Sequence, residues 1–193
     1  MRYEEYNLED LFLLAKKGDG TAFEHIVRQT EKQIYNLSLS IVKSNEDAED
    51  LTQETYLRLW RSLPDYKGES AKSYIFRIAR NLSIDLIRKR NRTPGSDTVI
   101  LTADGEFERD IVDHDPDIRP DEAFIRRLTI ETVRECISAL PPPMRELIVM
   151  RDIDGLAYHE IASILEIPEG SVKSRLFRAR ERLRALIIEK NIL

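Results

Sequence analysis

Apolar residues return every three or four positions across residues 8–90 and again across 120–188, the spacing that lines one face of an α-helix. The alternation of a half-buried strand is scarce and the chain has only seven glycines, so an all-α fold is expected. Between the two periodic blocks, residues 91–122 carry Pro94, Gly95, Gly105, Pro116 and Pro120 and little periodicity. That segment reads as a linker. The expected architecture is two small helical domains, residues 1–92 and 122–193, joined by a flexible linker over 93–121.

In the first block, residues 44–51 suit a helix start. Either Ser44 or Asn45 can cap, and Glu46, Asp47, Glu49 and Asp50 crowd the end where the helix dipole favours acids. The helix runs through Leu51, Tyr56, Leu59 and Trp60 to Leu63 and stops before Pro64. Its outer side keeps Asp47, Asp50, Gln53 and Glu54, which serve either plain solubility or docking of a basic partner. A polar loop over 65–71 then feeds a helix from about Lys72 to Arg90, with Ile75, Ile78, Leu82 and Leu86 inward and Arg77, Arg80, Asn81, Ile84 and Arg88 outward. Residues 72–92 hold seven Lys/Arg and one acid, Asp85, a cationic element.

In the second block, Tyr158, Ile161, Ala162 and Leu165 share one helical face, the chain turns over 166–168, and Pro168 and Glu169 suit the first turn of a new helix. On that helix Val172, Leu176, Ala179 and Leu183 fall in a narrow arc, while Lys173, Ser174, Phe177, Arg178 and Glu181 face away. Residues 171–193 carry seven Lys/Arg against two Glu. Two short helices with a tight turn and a basic second helix outline a helix-turn-helix, which reads bases with the first turns of its second helix. The competing interpretation of an Arg-rich terminal helix is a merely solvated face.

Composition narrows the class. A 193-residue chain with 41% hydrophobic and 34% charged residues fits a globular protein of one or two domains. Apolar runs fall far short of the roughly 20 residues of a membrane span, and the first residues lack the apolar core of a signal peptide; a cytoplasmic location is expected. The formal net charge is −5, and residues 97–122 alone hold ten acids and two bases, Arg109 and Arg119, either a solvated tether or a functional acidic segment. The single cysteine, Cys136, is read as packing. His159-Glu160 begins a zinc-protease pattern, but Ser163 stands where the second histidine is needed. No catalytic residue, metal site, cofactor or small-molecule substrate is expected.

Taken together, the motifs resemble those of the extracytoplasmic-function sigma factors, small two-domain initiation factors of bacterial transcription. The similarity rests on Gly18-Asp19 and Ala22-Phe23, then Asp47-Ala48-Glu49-Asp50-Leu51 with Gln53-Glu54 and Trp60. It continues with Tyr74-Ile75-Phe76-Arg77-Ile78-Ala79-Arg80-Asn81 and Asp85, and in the second domain with Leu140-Pro141, Arg145, Tyr158, Glu160-Ile161-Ala162 and Gly170-Ser171-Val172-Lys173-Ser174-Arg175.

The resemblance implies a set of partners: RNA polymerase core through its β′ clamp helices and β flap, promoter DNA, and an anti-sigma factor. It assigns core docking to Asp47, Asp50, Gln53 and Glu54. It assigns −10 recognition and strand opening to Lys67, Lys72, Arg77, Arg80, Asn81 and Arg88, and −35 recognition to Lys173, Ser174 and Arg178, with Arg145, Arg175 and Arg182 nearer the DNA backbone. It also implies that the acidic linker threads toward the polymerase channels. The chain departs from the family pattern where an aromatic is common and Ala71 stands here, in a loop one residue shorter; either Tyr66 or Tyr74 supplies a stacking surface instead. Glu181 either contacts a cytosine or faces water. The rival reading is an operator-binding regulator that needs no polymerase, yet the N-terminal half offers a second basic helix and an acidic face rather than a ligand-sensing domain.

Overall fold

A computed structural model describes residues 3–68, 70–91 and 130–191. The expected acidic linker over 93–121 lies outside the described residues. Among those residues every regular element is helical. The N-terminal bundle comprises α1 (Leu8–Lys16), α2 (Gly20–Val42), α3 (Asn45–Ser62) and α4 (Ala71–Asn91), with a 3-10 turn over Leu63–Asp65. The C-terminal bundle comprises α5 (Ile130–Ala139), α6 (Pro142–Ile148), α7 (Tyr158–Leu165) and α8 (Glu169–Asn191), with a π turn over Val149–Ile153.

Helix starts follow side-chain caps that satisfy otherwise orphaned amides. Asn7, Asp19 and Ser44 accept from the amides of Asp10, Ala22 and Asp47, so Ser44 is the residue that caps α3. Lys43 ends α2 in the left-handed conformation, φ +61°, and reverses the chain within one residue. The N-terminal core gathers Leu11, Phe12, Ile26, Ile34, Leu37, Leu59, Ile75 and Phe76, all fully buried. Thr30 and Tyr56 bury their hydroxyls against each other at 2.9 Å, and Thr30 also donates to the Ile26 carbonyl; burial pushes the Tyr56 phenol well above its ordinary range.

The inward face expected for α4 is rotated slightly. Ile75 and Leu82 are buried, but Phe76 and Ala79 join them while Ile78 and Leu86 are only half-buried. Trp60 is not a core residue: it is 43% exposed and packs its edge on Phe23, with ring centroids 4.9 Å apart. Cys136 is buried, as its packing role requires.

The two bundles meet along one seam. α6 and the π turn lie on α2, and α7 lies on α4.

Truncating the deeply buried Phe76 to Ala is expected to cost about 3–5 kcal/mol by opening a cavity. Leu57→Ala, on the exposed side of α3, is expected to stay within about 0.5 kcal/mol. Urea denaturation of both variants checks the contrast.

Candidate nucleic-acid interface

The helix-turn-helix is built from α7 and α8. Glu166 turns the chain in the left-handed conformation, φ +56°, ψ 41°, and its N–H is accepted by the Ala162 carbonyl. α8 begins at Glu169, one residue later than a helical Pro168 would imply: Pro168 precedes the helix, and its carbonyl accepts from the amides of Ser171 and Val172. Val172, Leu176 and Ala179 are buried against the bundle, whereas Lys173, Phe177, Glu181 and Arg182 are exposed and Ser174, Arg175 and Arg178 are half-exposed. Leu183 is only half-buried.

Lys173 sits 3.1 Å from Glu169 on the same helix and 5.6 Å from the centre of the Tyr158 ring, whose face also carries Arg151 at 4.5 Å. Both side chains of the Lys173–Glu169 pair are open to solvent, where such pairs hold weakly. Phe177, 53% exposed beside these polar groups, is an apolar patch on an otherwise cationic face. Arg180 is not part of that face; Asp152 holds it across the bundle at 2.6 Å.

In the N-terminal bundle the basic groups group around the start and outer side of α4. Asn81, Arg88 and Lys67 are exposed, and Lys72, Arg77 and Arg80 are partly covered. The loop leading into α4 is shaped from α1. Glu9 accepts from the Tyr66 hydroxyl at 3.0 Å and from the Ala71 amide at 2.8 Å, while Lys16 donates to the Tyr66 carbonyl at 2.6 Å. Gly68 holds φ +83°, a conformation that other residues take only with strain. A cavity of about 310 Å³ opens at this loop, lined by Glu9, Leu13, Tyr66, Gly68 and Ser70.

Of the two candidate stacking residues, Tyr66 is buried between Phe12 and Tyr74, with ring centroids 5.2 and 5.3 Å away. Tyr74 is only half-buried and is the more accessible ring.

The outer face of α3 exposes Asp50 and Gln53, and with them Leu57 (53% exposed) and Trp60. Glu54 pairs with Arg58 one turn on, at 2.9 Å. Asp47 is differently employed: Arg90 from the end of α4 grips both its oxygens at 2.7 Å, and this contact holds its carboxyl below the usual range.

Arg145, expected near the DNA backbone, does not face solvent in this arrangement: it is 3% exposed and lies in the seam between the bundles. It donates at 2.7 Å to the Ser40 carbonyl of α2 and at 2.7 Å to the Leu140 carbonyl, and burial pushes its pKa down to about 10. Its neighbour Glu146, also buried, pairs with Arg80 of α4; desolvation raises its carboxyl and the Arg80 charge opposes that rise. Asn36 donates at 2.8 Å to Asp154 Oδ1 and Gln33 at 2.9 Å to the Asp154 carbonyl, and burial pushes Asp154 up to about 6. Glu160, which accepts from the Ala157 amide, stands 3.9 Å from Lys72.

Sequence reasoning missed Glu146, Asp154 and the exposed Leu57. The one available signal was an Arg-Glu pair set inside the apolar run around Leu147 and Ile148, where charge is costly unless partnered.

Comparison with known proteins identifies the family. Residues 26–93 match the family model Sigma-70 region 2 and residues 130–183 match Sigma-70, region 4. The chain is 33% identical over 168 residues to the RNA polymerase sigma-H factor of Pseudomonas aeruginosa, covering 86% of each chain. It is 33% identical over 172 residues to the ECF RNA polymerase sigma factor SigW of Bacillus subtilis, covering 88% of this chain and 90% of that one. The fold is similar to that of the sigma factor RpoE of Bartonella quintana, solved with the anti-sigma factor NepR, at a TM-score of 0.62 and 25% identity, over 86% of this chain and 96% of the other. The chain thus belongs to the extracytoplasmic-function class of sigma-70 factors, the proteins that direct RNA polymerase to begin transcription at promoters.

Proposed function

We propose that this sigma factor divides its work among three surfaces. The exposed face of α3, with Asp50, Gln53 and Glu54 around Leu57 and Trp60, docks on the β′ clamp helices of core polymerase. Asp47 contributes by fastening α4 to α3 through Arg90. The loop before α4 and its outer side, with Lys67, Lys72, Arg77, Arg80, Asn81 and Arg88, bind and open the −10 element. The first turns of α8 read the −35 element through Lys173, Ser174 and Arg178, with Arg175 and Arg182 on phosphates.

The observation that carries this reading is the division of α8. One face buries Val172, Leu176 and Ala179, and the opposite face presents Lys173 and Phe177 near the helix start, the part of a recognition helix that meets base edges. Support for docking through α3 comes from two large exposed apolar side chains beside exposed polar ones, the composition of an interface centre with a polar rim. Support for the −10 assignment comes from Asn81, an amide able to pair with a base edge, exposed among arginines suited to phosphates. Flipping a base costs a few kcal/mol, so that surface must supply comparable contacts.

No helix among the described residues is long and apolar enough to cross a membrane, and the protein acts on DNA in the cytoplasm. It catalyses no reaction of its own; the polymerase does the chemistry. An anti-sigma factor is its natural antagonist, as the relative solved with NepR illustrates.

Three variants separate the surfaces. In holoenzyme, Lys173→Ala is expected to weaken −35 discrimination by about 1–3 kcal/mol. Asn81→Ala should leave promoter binding but reduce permanganate reactivity in the −10 region, and Asp50→Ala with Gln53→Ala should lower affinity for core without changing the fold. Pull-down with core, footprinting and run-off transcription read the three in parallel, and a variant whose own readout is unchanged removes its surface from the assignment.

A further inference from the structure

Helix α1 carries no basic reader, yet two of its side chains fix both ends of the loop that precedes α4. Glu9 bridges the Tyr66 hydroxyl and the first amide of α4, and Lys16 holds the Tyr66 carbonyl. A carboxylate at a helix N-terminus satisfies an orphan amide and meets the positive end of the dipole. Tyr66, wedged between Phe12 and Tyr74, has its backbone direction set by these contacts. We propose that Glu9 and Lys16 are positioning residues for −10 opening: they hold the short loop in the shape that receives unstacked DNA, without touching DNA themselves.

This rests on the −10 assignment above. The test uses holoenzyme with Glu9→Ala, Glu9→Gln and Asn81→Ala on a duplex promoter found by mapping start sites, and on the same promoter with a pre-opened bubble. Glu9→Ala should slow opening of the duplex about tenfold, equivalent to 1.4 kcal/mol, recover on the bubble, and be largely rescued by Glu9→Gln, which keeps an acceptor. Equal loss on both templates, or no loss on either, overturns the role. If Asn81→Ala is also silent on the duplex, the −10 assignment itself fails; if only Glu9→Ala is silent, positioning alone fails.

A second inference stands on the seam. Lys72 and Arg80 belong to the surface assigned to −10 DNA, and here each faces a carboxylate of the other bundle, Glu160 and Glu146. The bundles are held together by groups that burial makes costly: Arg145, Glu146 and Asp154. Arg145 Nε and Asp154 Oδ2 are buried without a hydrogen-bond partner. Leaving such atoms unpaired is costly, and exposure to water on opening removes that cost. We infer that the free protein masks its own −10 grip: the C-terminal bundle lays carboxylates where DNA phosphates would sit, and the halves must part before that surface binds DNA.

The test measures binding of the free, full-length protein to a single-stranded oligonucleotide carrying the non-template −10 sequence, by fluorescence anisotropy. Glu146→Gln with Glu160→Gln should tighten binding about tenfold and make no difference once core polymerase is bound. Unchanged affinity in the free, folded variant overturns the mask. If that variant unfolds by circular dichroism, a disulfide between Asn36→Cys and Asp154→Cys in a Cys136→Ser background replaces it. The oxidised form should lose oligonucleotide binding and regain it on reduction, and undiminished binding by the oxidised form counts against the mask. Arg80→Ala in holoenzyme is the independent check: if it leaves −10 opening intact, the surface assignment fails rather than the mask.

Discussion

Arg145 is the contact on which the arrangement of the two bundles turns. Its guanidinium is withdrawn from water between α2 and the end of α5 and donates to two backbone carbonyls, one from each bundle. Around it lie Glu146 on Arg80 and Asp154 on Asn36 and Gln33. Such a junction is specific without being strong. Taking charges out of water costs several kcal/mol per ion, and the geometry returns that only when every donor and acceptor is matched. Here two buried atoms are left over. A junction of that kind fixes one way of closing and still comes apart when a larger surface competes for either face.

The competing surfaces are laid out on the outside. α3 presents Leu57 and Trp60 to solvent on a side the seam does not cover, so core polymerase can dock before the halves part. The start of α8 is likewise open. The groups the seam covers are Lys72 and Arg80, the ones assigned to opened DNA. Core polymerase can therefore engage the closed protein, and parting of the halves on core frees the surface that melting needs. The recognition helix adds a local control, because Lys173 is held by an exposed Glu169 and the Tyr158 ring, contacts weak enough to yield to a base edge.

Much of this was legible in the chain. Helical period alone separates the two blocks, Ser44 and its acids mark the start of α3, and the turn at Glu166 with Pro168 marks the helix-turn-helix. The exposed Lys173, Asn81, Asp50 and Gln53 follow from which side of each helix is apolar. What was not legible depends on contacts between distant segments. Period says that one face of α6 is buried, but not that α2 covers the polar side chain beside it, so the place of Arg145 in the seam could not be read from the chain. Tyr66 read as a free ring because nothing local shows that Glu9 and Phe12, over fifty residues earlier, enclose it. The family resemblance supplied partners and surfaces; it did not supply the closed arrangement.

Energy transfer between dyes on the two bundles tests the closed arrangement most directly. With Glu24→Cys and Glu189→Cys, both exposed positions, in a Cys136→Ser background, the free protein should show one narrow, high-efficiency population that shifts to lower efficiency on binding core polymerase. A broad, low-efficiency distribution in the free protein, unchanged by core, would contradict a self-masking sigma factor.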